Sequence, residues 1–334
     1  MNMTTATRPL GTTGMQISAL GFGAWAIGGD GWKFGWGPQD DTDSITAIHR
    51  ALECGMNWID TAAAYGFGHS EDVVARALHG MAEPPLVFTK CGLVPSGEGD
   101  GGTREDISRA SIVAECEASL RRLHVDAIDL YQIHWPTDVL ADIDEGWAAM
   151  AQLVGAGKVR HIGVSNFSIP ELERARRGAR VETLQPPYSL VRADFERGLA
   201  TYCREWKIGV IVYSPMQSGL LSGSMTVDRA RALPATDWRS RNAEFREPNL
   251  GRNLALVERL REVGARHGRS PGEVAIAWTL RDPVVSGAIV GARTAAQVDG
   301  IVAAATLVLE ADDLRIFAGD APQSGSGDGD HSPA

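Results

Sequence analysis

Four ionisable side chains in this sequence combine the types and spacing needed for proton-transfer chemistry: Asp60, Tyr65, Lys90 and His134. Each lies at or just beyond the end of a short apolar run. Asp60 ends Trp58-Ile59-Asp60, Tyr65 follows five residues later, Lys90 ends Leu86-Val87-Phe88-Thr89-Lys90, and His134 ends the run from Ile128. An unperturbed tyrosine titrates near pH 10 and is a poor acid at neutrality. A neighbouring ammonium stabilises phenolate and lowers that value. A lysine drawn into an apolar strand end loses its proton unless an acid holds it charged, which is the work left for Asp60. An imidazole beside them can bond a carbonyl oxygen and fix its orientation. The set therefore reads as proton transfer to or from a carbonyl or alcohol oxygen. Taken singly, an Asp–Lys pair is more often a structural ion pair and a strand-end histidine a rim residue. Their fall on three successive strand ends favours the chemical reading. No serine or cysteine here is activated as a nucleophile, so the carbonyl carbon must be attacked by something brought in, such as a hydride from a cofactor.

The elements that must position these groups alternate along the chain. Strands are expected at 19–23, 57–61, 86–90, 127–133, 161–164, 183–185, 209–212 and 288–290, with helices between them. Thr103-x-x-Asp106 is expected to open a long helix to Leu123. Ser168-x-x-Glu171 and Ser270-Pro271-Gly272-Glu273 are capping boxes, the second with proline at the first helical position. Residues 216–251 read as irregular. Eight strand–helix alternations without a composition break predict an α/β fold, a closed (β/α)8 TIM barrel. Gly11-Thr12-Thr13-Gly14 predicts an N-terminal β-hairpin before it. An open doubly wound sheet would carry G-x-G-x-x-G after its first strand. Here Gly21-Phe22-Gly23 is followed by Ala24-Trp25-Ala26. Residues 1–318 are read as one barrel and 319–334, almost devoid of apolar side chains, as a disordered tail. In such a barrel the C-terminal strand ends form one face and carry the active site. Strands ~4.8 Å apart let side chains of three neighbours converge there.

Composition bounds the partners. The 334 residues carry a net charge of -10, which argues against nucleic acid and anionic membrane surfaces. No run of 18 apolar residues is present. The four cysteines form no C-x-x-C pair or metal-ligand spacing and read as reduced thiols of a cytoplasmic protein. The first residues show no apolar signal region. Nothing in the sequence sets an oligomeric state.

The longer motifs carry a resemblance. Gly55-Met56-Asn57-Trp58-Ile59-Asp60-Thr61-Ala62-x-x-Tyr65-Gly66 is followed by Phe88-Thr89-Lys90, then Ser119-Leu120-Arg121-Arg122-Leu123 and Asp129-Leu130-Tyr131-x-x-His134. Gly163-Val164-Ser165-Asn166-Phe167, Tyr213-Ser214-Pro215, Gly219-Leu220-Leu221 and Gly291-Ala292-Arg293-Thr294 follow in order. From Leu10 to about Val308 the chain resembles the aldo/keto reductases. That resemblance implies that Asp60, Tyr65, Lys90 and His134 perform proton transfer and that NADPH, extended across the barrel mouth, supplies hydride. It places Tyr213 against the nicotinamide, Ser165, Asn166 and Gln185 on its carboxamide, and Trp25 beside it. No metal is implied.

The phosphate end has its own physical argument. Barrel phosphate sites favour the loops after the seventh and eighth strands and a helix N-terminus. Those loops hold Ser214, Pro215, Met216, Gly219 and Leu220, and then Gly291, Arg293 and Gln297. Arg293 is a candidate partner for a 2′-phosphate, or else a solvated surface charge. Gln297 also serves to complete a Thr294 capping box. Many relatives place Glu-Asn where this chain has Gly300-Ile301, and neither residue offers those side-chain hydrogen bonds.

The expected substrate is a small aldehyde, ketone, sugar or alcohol. Trp25, Trp32, Phe34, Trp36 and Trp135 either clasp it or pin down the mouth loops. Trp238-Arg239-Ser240-Arg241 either reaches the pocket or lies outside it. Two other readings are carried. One is a nicotinamide-sensing regulatory subunit with negligible turnover. The other is a metal-dependent barrel enzyme, for which Asp60 with His134 supplies too few ligands.

Overall fold

The computed structural model describes residues 7–99 and 101–317. Its twelve strands are β1 (Thr7–Pro9), β2 (Gln16–Ser18), β3 (Leu20–Gly23), β4 (Trp58–Asp60), β5 (Leu86–Cys91), β6 (Leu93–Pro95), β7 (Thr103–Glu105), β8 (Ile128–Ile133), β9 (Val159–Ser165), β10 (Thr183–Gln185), β11 (Gly209–Val212) and β12 (Val285–Gly291). Eight of them close into a parallel barrel in the order β3-β4-β5-β8-β9-β10-β11-β12, with β12 returning to β3. Helices α1 (Asp41–Glu53), α2 (His69–Leu78), α3 (Arg109–Leu123), α4 (Leu140–Gly155), α5 (Ile169–Gly178) and α6 (Leu199–Trp206) follow the first barrel strands. After β11 come α7 (Val227–Arg231), α8 (Asn249–His267) and α9 (Pro271–Thr279), and after β12 come α10 (Ala295–Asp299) and α11 (Ala311–Phe317). The expected (β/α)8 barrel is thus the observed one. The tail from residue 319 lies outside the described residues.

Sequence explains the barrel directly. Its strands are buried throughout most of their length and read as runs such as Gly-Val-Ile-Val in β11, as parallel strands covered on both faces should. The helices present apolar stripes to the sheet. In α8, Leu256, Val257, Leu260 and Val263 are buried at spacings of one, three and three, a one-sided helical face. The hairpin β1–β2 is antiparallel, with Arg8 opposite Ile17. Its Leu10 and Ile17 join Trp58, Phe88, Leu130, Ile211, Tyr213 and Ile289 in an apolar cluster separate from the main one. Fully burying side chains of this size contributes about 1.5–3 kcal/mol each.

The expectation for residues 103–123 needs correcting. Thr103–Glu105 does not start a helix; it is strand β7, paired antiparallel with β6 through Leu93↔Glu105 and Pro95↔Thr103. Helix α3 begins only at Arg109, where the Ser108 side chain accepts the Ser111 N–H. The local capping signal at Thr103 loses to the antiparallel pairing of this segment with β6. Both other capping boxes form as read, at Ser168 with Glu171 and at Ser270 with Glu273. Thr294 caps α10, but the Gln297 side chain accepts from the Arg293 N–H at 2.7 Å, one residue earlier than a capping box requires. The stretch 216–251 is less irregular than expected, since it contains α7, short 3-10 turns and the start of α8.

Candidate active site

Register brings the strand ends together. Gly23 stands beside Asp60, Asp60 beside Phe88, Lys90 beside Gln132, and Ser165 beside Gln185. Asp60 and Lys90 therefore project from adjacent strands at the same end of the barrel. The Lys90 Nζ donates to Asp60 Oδ2 at 2.6 Å, to the Thr61 carbonyl at 3.0 Å and to the Tyr65 hydroxyl oxygen at 3.0 Å. These three contacts use all three ammonium hydrogens. The other Asp60 oxygen accepts from Gln185 Nε2 at 2.9 Å. The His134 ring meets the Tyr65 ring edge-on, with centroids 5.7 Å apart. All four expected proton-transfer residues are buried and contiguous.

The loop carrying Tyr65 is held from both sides. Ser70 Oγ donates to the Ala24 carbonyl and shares a 2.8 Å hydrogen bond with the Thr61 hydroxyl. Thr89 Oγ1 donates to Glu71, whose other oxygen accepts from Arg122. Gly66 has a left-handed φ of 61°, and a Cβ there would meet the Gly28 carbonyl oxygen at 2.0 Å. Glycine alone lets the Tyr65 turn close against the loop after β3.

Electrostatics differ from expectation in one respect. The buried phenol is raised overall, although Lys90 donates to it. Burial holds the Tyr65 phenol well above its ordinary value, and the charge of Asp60 and the neighbouring Tyr213 add to that. The dry surroundings penalise phenolate, and the negative charge of Asp60 works in the same direction. Burial likewise pushes Asp60 up and Lys90 down, and their mutual contact opposes both shifts.

A long cavity runs from Asp60 and Tyr65 to Gln297. Of the residues expected to hold a cofactor, Trp25, Gln185, Tyr213, Ser214, Pro215, Met216, Gly219, Gly291, Arg293 and Gln297 lie on its wall. Ser165, Asn166 and Leu220 do not. Ser165 is buried and donates to the Gln185 carbonyl. Asn166 links the His134 carbonyl at 3.0 Å to the Tyr213 hydroxyl at 2.8 Å. The Leu220 side chain packs instead with Met225, Ala230, Phe245 and Leu250, so it is a packing residue behind the wall. The backbone is strained along this rim. Asn166, Ser214, Gln217 and Ser218 all have positive φ, between 46° and 63°. Non-glycine residues in this region are uncommon and cluster at functional sites.

Arg293 reaches the cavity, but its guanidinium is also engaged by the loop after β3. It donates to Gln39 Oε1 and to the carbonyls of Pro38 and Trp36. Sequence left open whether residues 238–241 touch the pocket, and they do. Arg239 lines it, forks onto Asp237 and lies 4.4 Å over the Trp36 ring. Trp25 stacks on Trp238 at 5.0 Å and meets Trp36 edge-on at 5.6 Å. Trp32 and Phe34 pack on each other, with Trp32 6.0 Å from the Tyr65 ring. Arg229, Ser222, Ser224 and Ser270 also line the cavity; of these only Ser270 was named from sequence, and as a helix cap. No grouping of three or more metal-ligating side chains occurs among the described residues. Nor is any helix among them long and apolar enough to cross a membrane.

Comparison with known proteins agrees with this geometry. Residues 19–319 match the model of the aldo/keto reductase family. The chain is 38% identical over 292 residues to the aldo-keto reductase YhdN of Bacillus subtilis (strain 168), covering 86% of this chain and 85% of that one. It is 34% identical over 320 residues to the NADH-specific methylglyoxal reductase of Escherichia coli (strain K12), covering 92% and 96%. Among solved structures it is similar to the glycerol dehydrogenase AKR11B4 from Gluconobacter oxydans, with a TM-score of 0.81, 36% identity and coverage of 95% and 94%. With a closed barrel, a buried Asp–Lys–Tyr group at its mouth and a family match across nearly its whole length, this chain belongs to the aldo/keto reductase family of oxidoreductases.

Proposed function

We propose that this chain interconverts aldehydes or ketones, sugars among them, with alcohols, using NADP(H) and Tyr65 as the general acid and base. The observation that carries the reading is the single ammonium shared between Asp60 and the Tyr65 oxygen, at 2.6 and 3.0 Å. Lys90 donates to the phenol oxygen, so that oxygen stays paired when Tyr65 hands its own hydrogen to a carbonyl oxygen. In the reducing direction Tyr65 gives that proton to the substrate oxygen as negative charge develops on it. The phenolate left behind sits against Lys90, and Asp60 keeps Lys90 charged. His134 orients the carbonyl. In the reverse direction Tyr65 takes the alcohol proton. A nicotinamide supplies or accepts the hydride at carbon when bound.

The cavity suits such a cofactor. Gln185 Oε1 is buried without a partner, an acceptor placed for a carboxamide N–H. Arg239 and Arg293 both line the groove and Arg293 feels the charge of Arg239, with Asp237 as the acid between them. That excess of positive charge favours phosphate. The case for NADP(H) rests on these arginines, and the NADH-specific relative pulls the other way. All four cysteines are buried free thiols, which fits a cytoplasmic setting. The test is a screen of aldehydes, ketones, sugars and polyols, following nicotinamide absorbance with each reduced and oxidised cofactor. Turnover with a carbonyl or alcohol is expected, faster with the phosphorylated cofactor. Tight cofactor binding without turnover on any of them would favour the sensing reading instead.

A further inference from the structure

One half-buried acid outside the proton-transfer group is tied to it by a single peptide. Both carboxylate oxygens of Glu115, on α3, accept from the Gly92 N–H, at 3.0 and 3.1 Å. Glu115 Oε1 also accepts from Ser111 Oγ at 3.1 Å. Gly92 directly follows β5 and has a φ of 85°. A Cβ there would lie 2.9 Å from Ile107, so the turn cannot be rebuilt around a larger residue. The same peptide group that offers the Gly92 N–H carries the Cys91 carbonyl, and that carbonyl accepts the His134 N–H at 2.8 Å. A charged acceptor on one side of a peptide polarises it and strengthens the bond on the other. Lys90 is the next residue back along the strand.

We infer that Glu115 is a positioning residue of this active site: through the peptide joining Cys91 to Gly92 it fixes both the strand end that carries Lys90 and the backbone of His134.

The environment of Glu115 argues for a role beyond stability. Burial pushes its carboxyl up to about 7, against the opposing bonds from Gly92 and Ser111. Two acids raise it further, each itself paired with an arginine: Asp106 from the segment before α3, bound by Arg104, and Glu71 from α2, bound by Arg122. Cys91 on β5 and Tyr131 on β8 also face it, both held neutral by burial. Cys116, its neighbour on the helix, is pushed up to about 11. A folded value raised from 4.5 to about 7 means that its stabilising contribution is full below 4.5 and lost as pH rises through about 7. Ionised Glu115 is thus a burden on the fold at the pH where it holds the peptide most firmly.

The kinetic arm of the test rests on the proposed reductase reading; the spectroscopic arm does not. In Glu115→Gln, kcat should fall about tenfold at pH 8, as small misplacements of reacting groups do. The cofactor dissociation constant should stay within about twofold and thermal stability at pH 8 should match or exceed the wild type. Wild-type kcat should decline as pH drops through about 7, while the variant stays level. Parallel loss of stability and activity, or identical pH profiles for the two proteins, would overturn the inference. Should the variant fail to fold, 15N labelling of the wild type decides. The Gly92 and His134 amide resonances should titrate together near neutrality, and two resonances that stay fixed between pH 5 and pH 8.5 would refute it.

Discussion

Replacing Lys90 by methionine should weaken the fold by an amount that depends on pH in a calculable way. Lys90 is 0% and Asp60 2% exposed at their side chains. Methionine fills similar space but leaves Asp60 with the Gln185 amide as its remaining side-chain hydrogen-bond donor. A carboxylate that dry takes up a proton. In the unfolded chain the same carboxyl titrates at its ordinary 3.8, so pH 7 lies 7 − 3.8 = 3.2 units above it. At about 1.4 kcal/mol per unit, keeping Asp60 protonated in the folded state costs about 4.4 kcal/mol at pH 7, an upper bound on the difference from wild type, where burial already pushes Asp60 up. At pH 4.5 the same arithmetic leaves about 1 kcal/mol. The sign follows from a raised folded value: the cost is absent below the unfolded value and grows as pH rises. The neutral-pH figure falls within the roughly 3–5 kcal/mol expected when one partner of a buried pair is removed. Urea unfolding of wild type and variant at pH 7 and pH 4.5, followed by far-ultraviolet circular dichroism, measures both values. A deficit below about 1 kcal/mol at pH 7, or one that does not shrink at pH 4.5, would refute the ion-pair reasoning. The companion Asp60→Asn should keep more turnover than Lys90→Met, because the amide oxygen still accepts from Lys90 and Lys90 still faces Tyr65. The opposite order would contradict the assignment of roles.

Three further outcomes are expected. Tyr65→Phe should bind cofactor normally and lose about 10²–10⁴-fold in kcat, the usual contribution of a general acid; retention of half the wild-type rate under chemistry-limited conditions would remove Tyr65 from the role. Because burial holds the Tyr65 phenol well above 10.0, carbonyl reduction at saturating cofactor should stay level between about pH 8 and about pH 10, and an alkaline fall centred below that would show that the phenol is acidified after all. Arg293→Ala should weaken NADPH binding at least about tenfold, the worth of one charge-assisted hydrogen bond, and NADH much less. Tryptophan fluorescence titration at two salt concentrations reads both, and equal losses would leave Arg293 only as a tie to Gln39 and Pro38.

Legibility in the sequence followed the range of the interaction involved. The barrel was readable because each strand–helix unit declares itself locally, through apolar runs such as Gly209–Val212 and caps such as Ser270 with Glu273. Asp60, Tyr65, Lys90 and His134 were readable because barrel geometry converts strand ends into neighbours. Thr103 was misread because its capping pattern is local, whereas the pairing of β7 with β6 depends on a turn whose closure no single residue announces. Arg239 and Trp238 escaped firm placement for a similar reason. Their contacts with Trp36 and Trp25 join segments about 200 residues apart, and no periodicity links them. Leu220 was named from a motif, which fixes the path of the backbone and not the direction of each side chain, and its side chain packs with Met225 and Phe245.

The hairpin at the start of the chain has an effect far from its own position. Its Leu10 and Ile17 share one apolar cluster with Trp58, two residues before Asp60, and with Phe88, two residues before Lys90. The hairpin therefore packs against the two strands whose far ends carry the proton-transfer group at the barrel mouth. The cavity that reaches Tyr65 is lined by Trp25, Trp36 and Arg239. That apolar layer also acts as an electrical insulator beneath the site, because low-dielectric surroundings strengthen the contacts among Asp60, Lys90 and Tyr65.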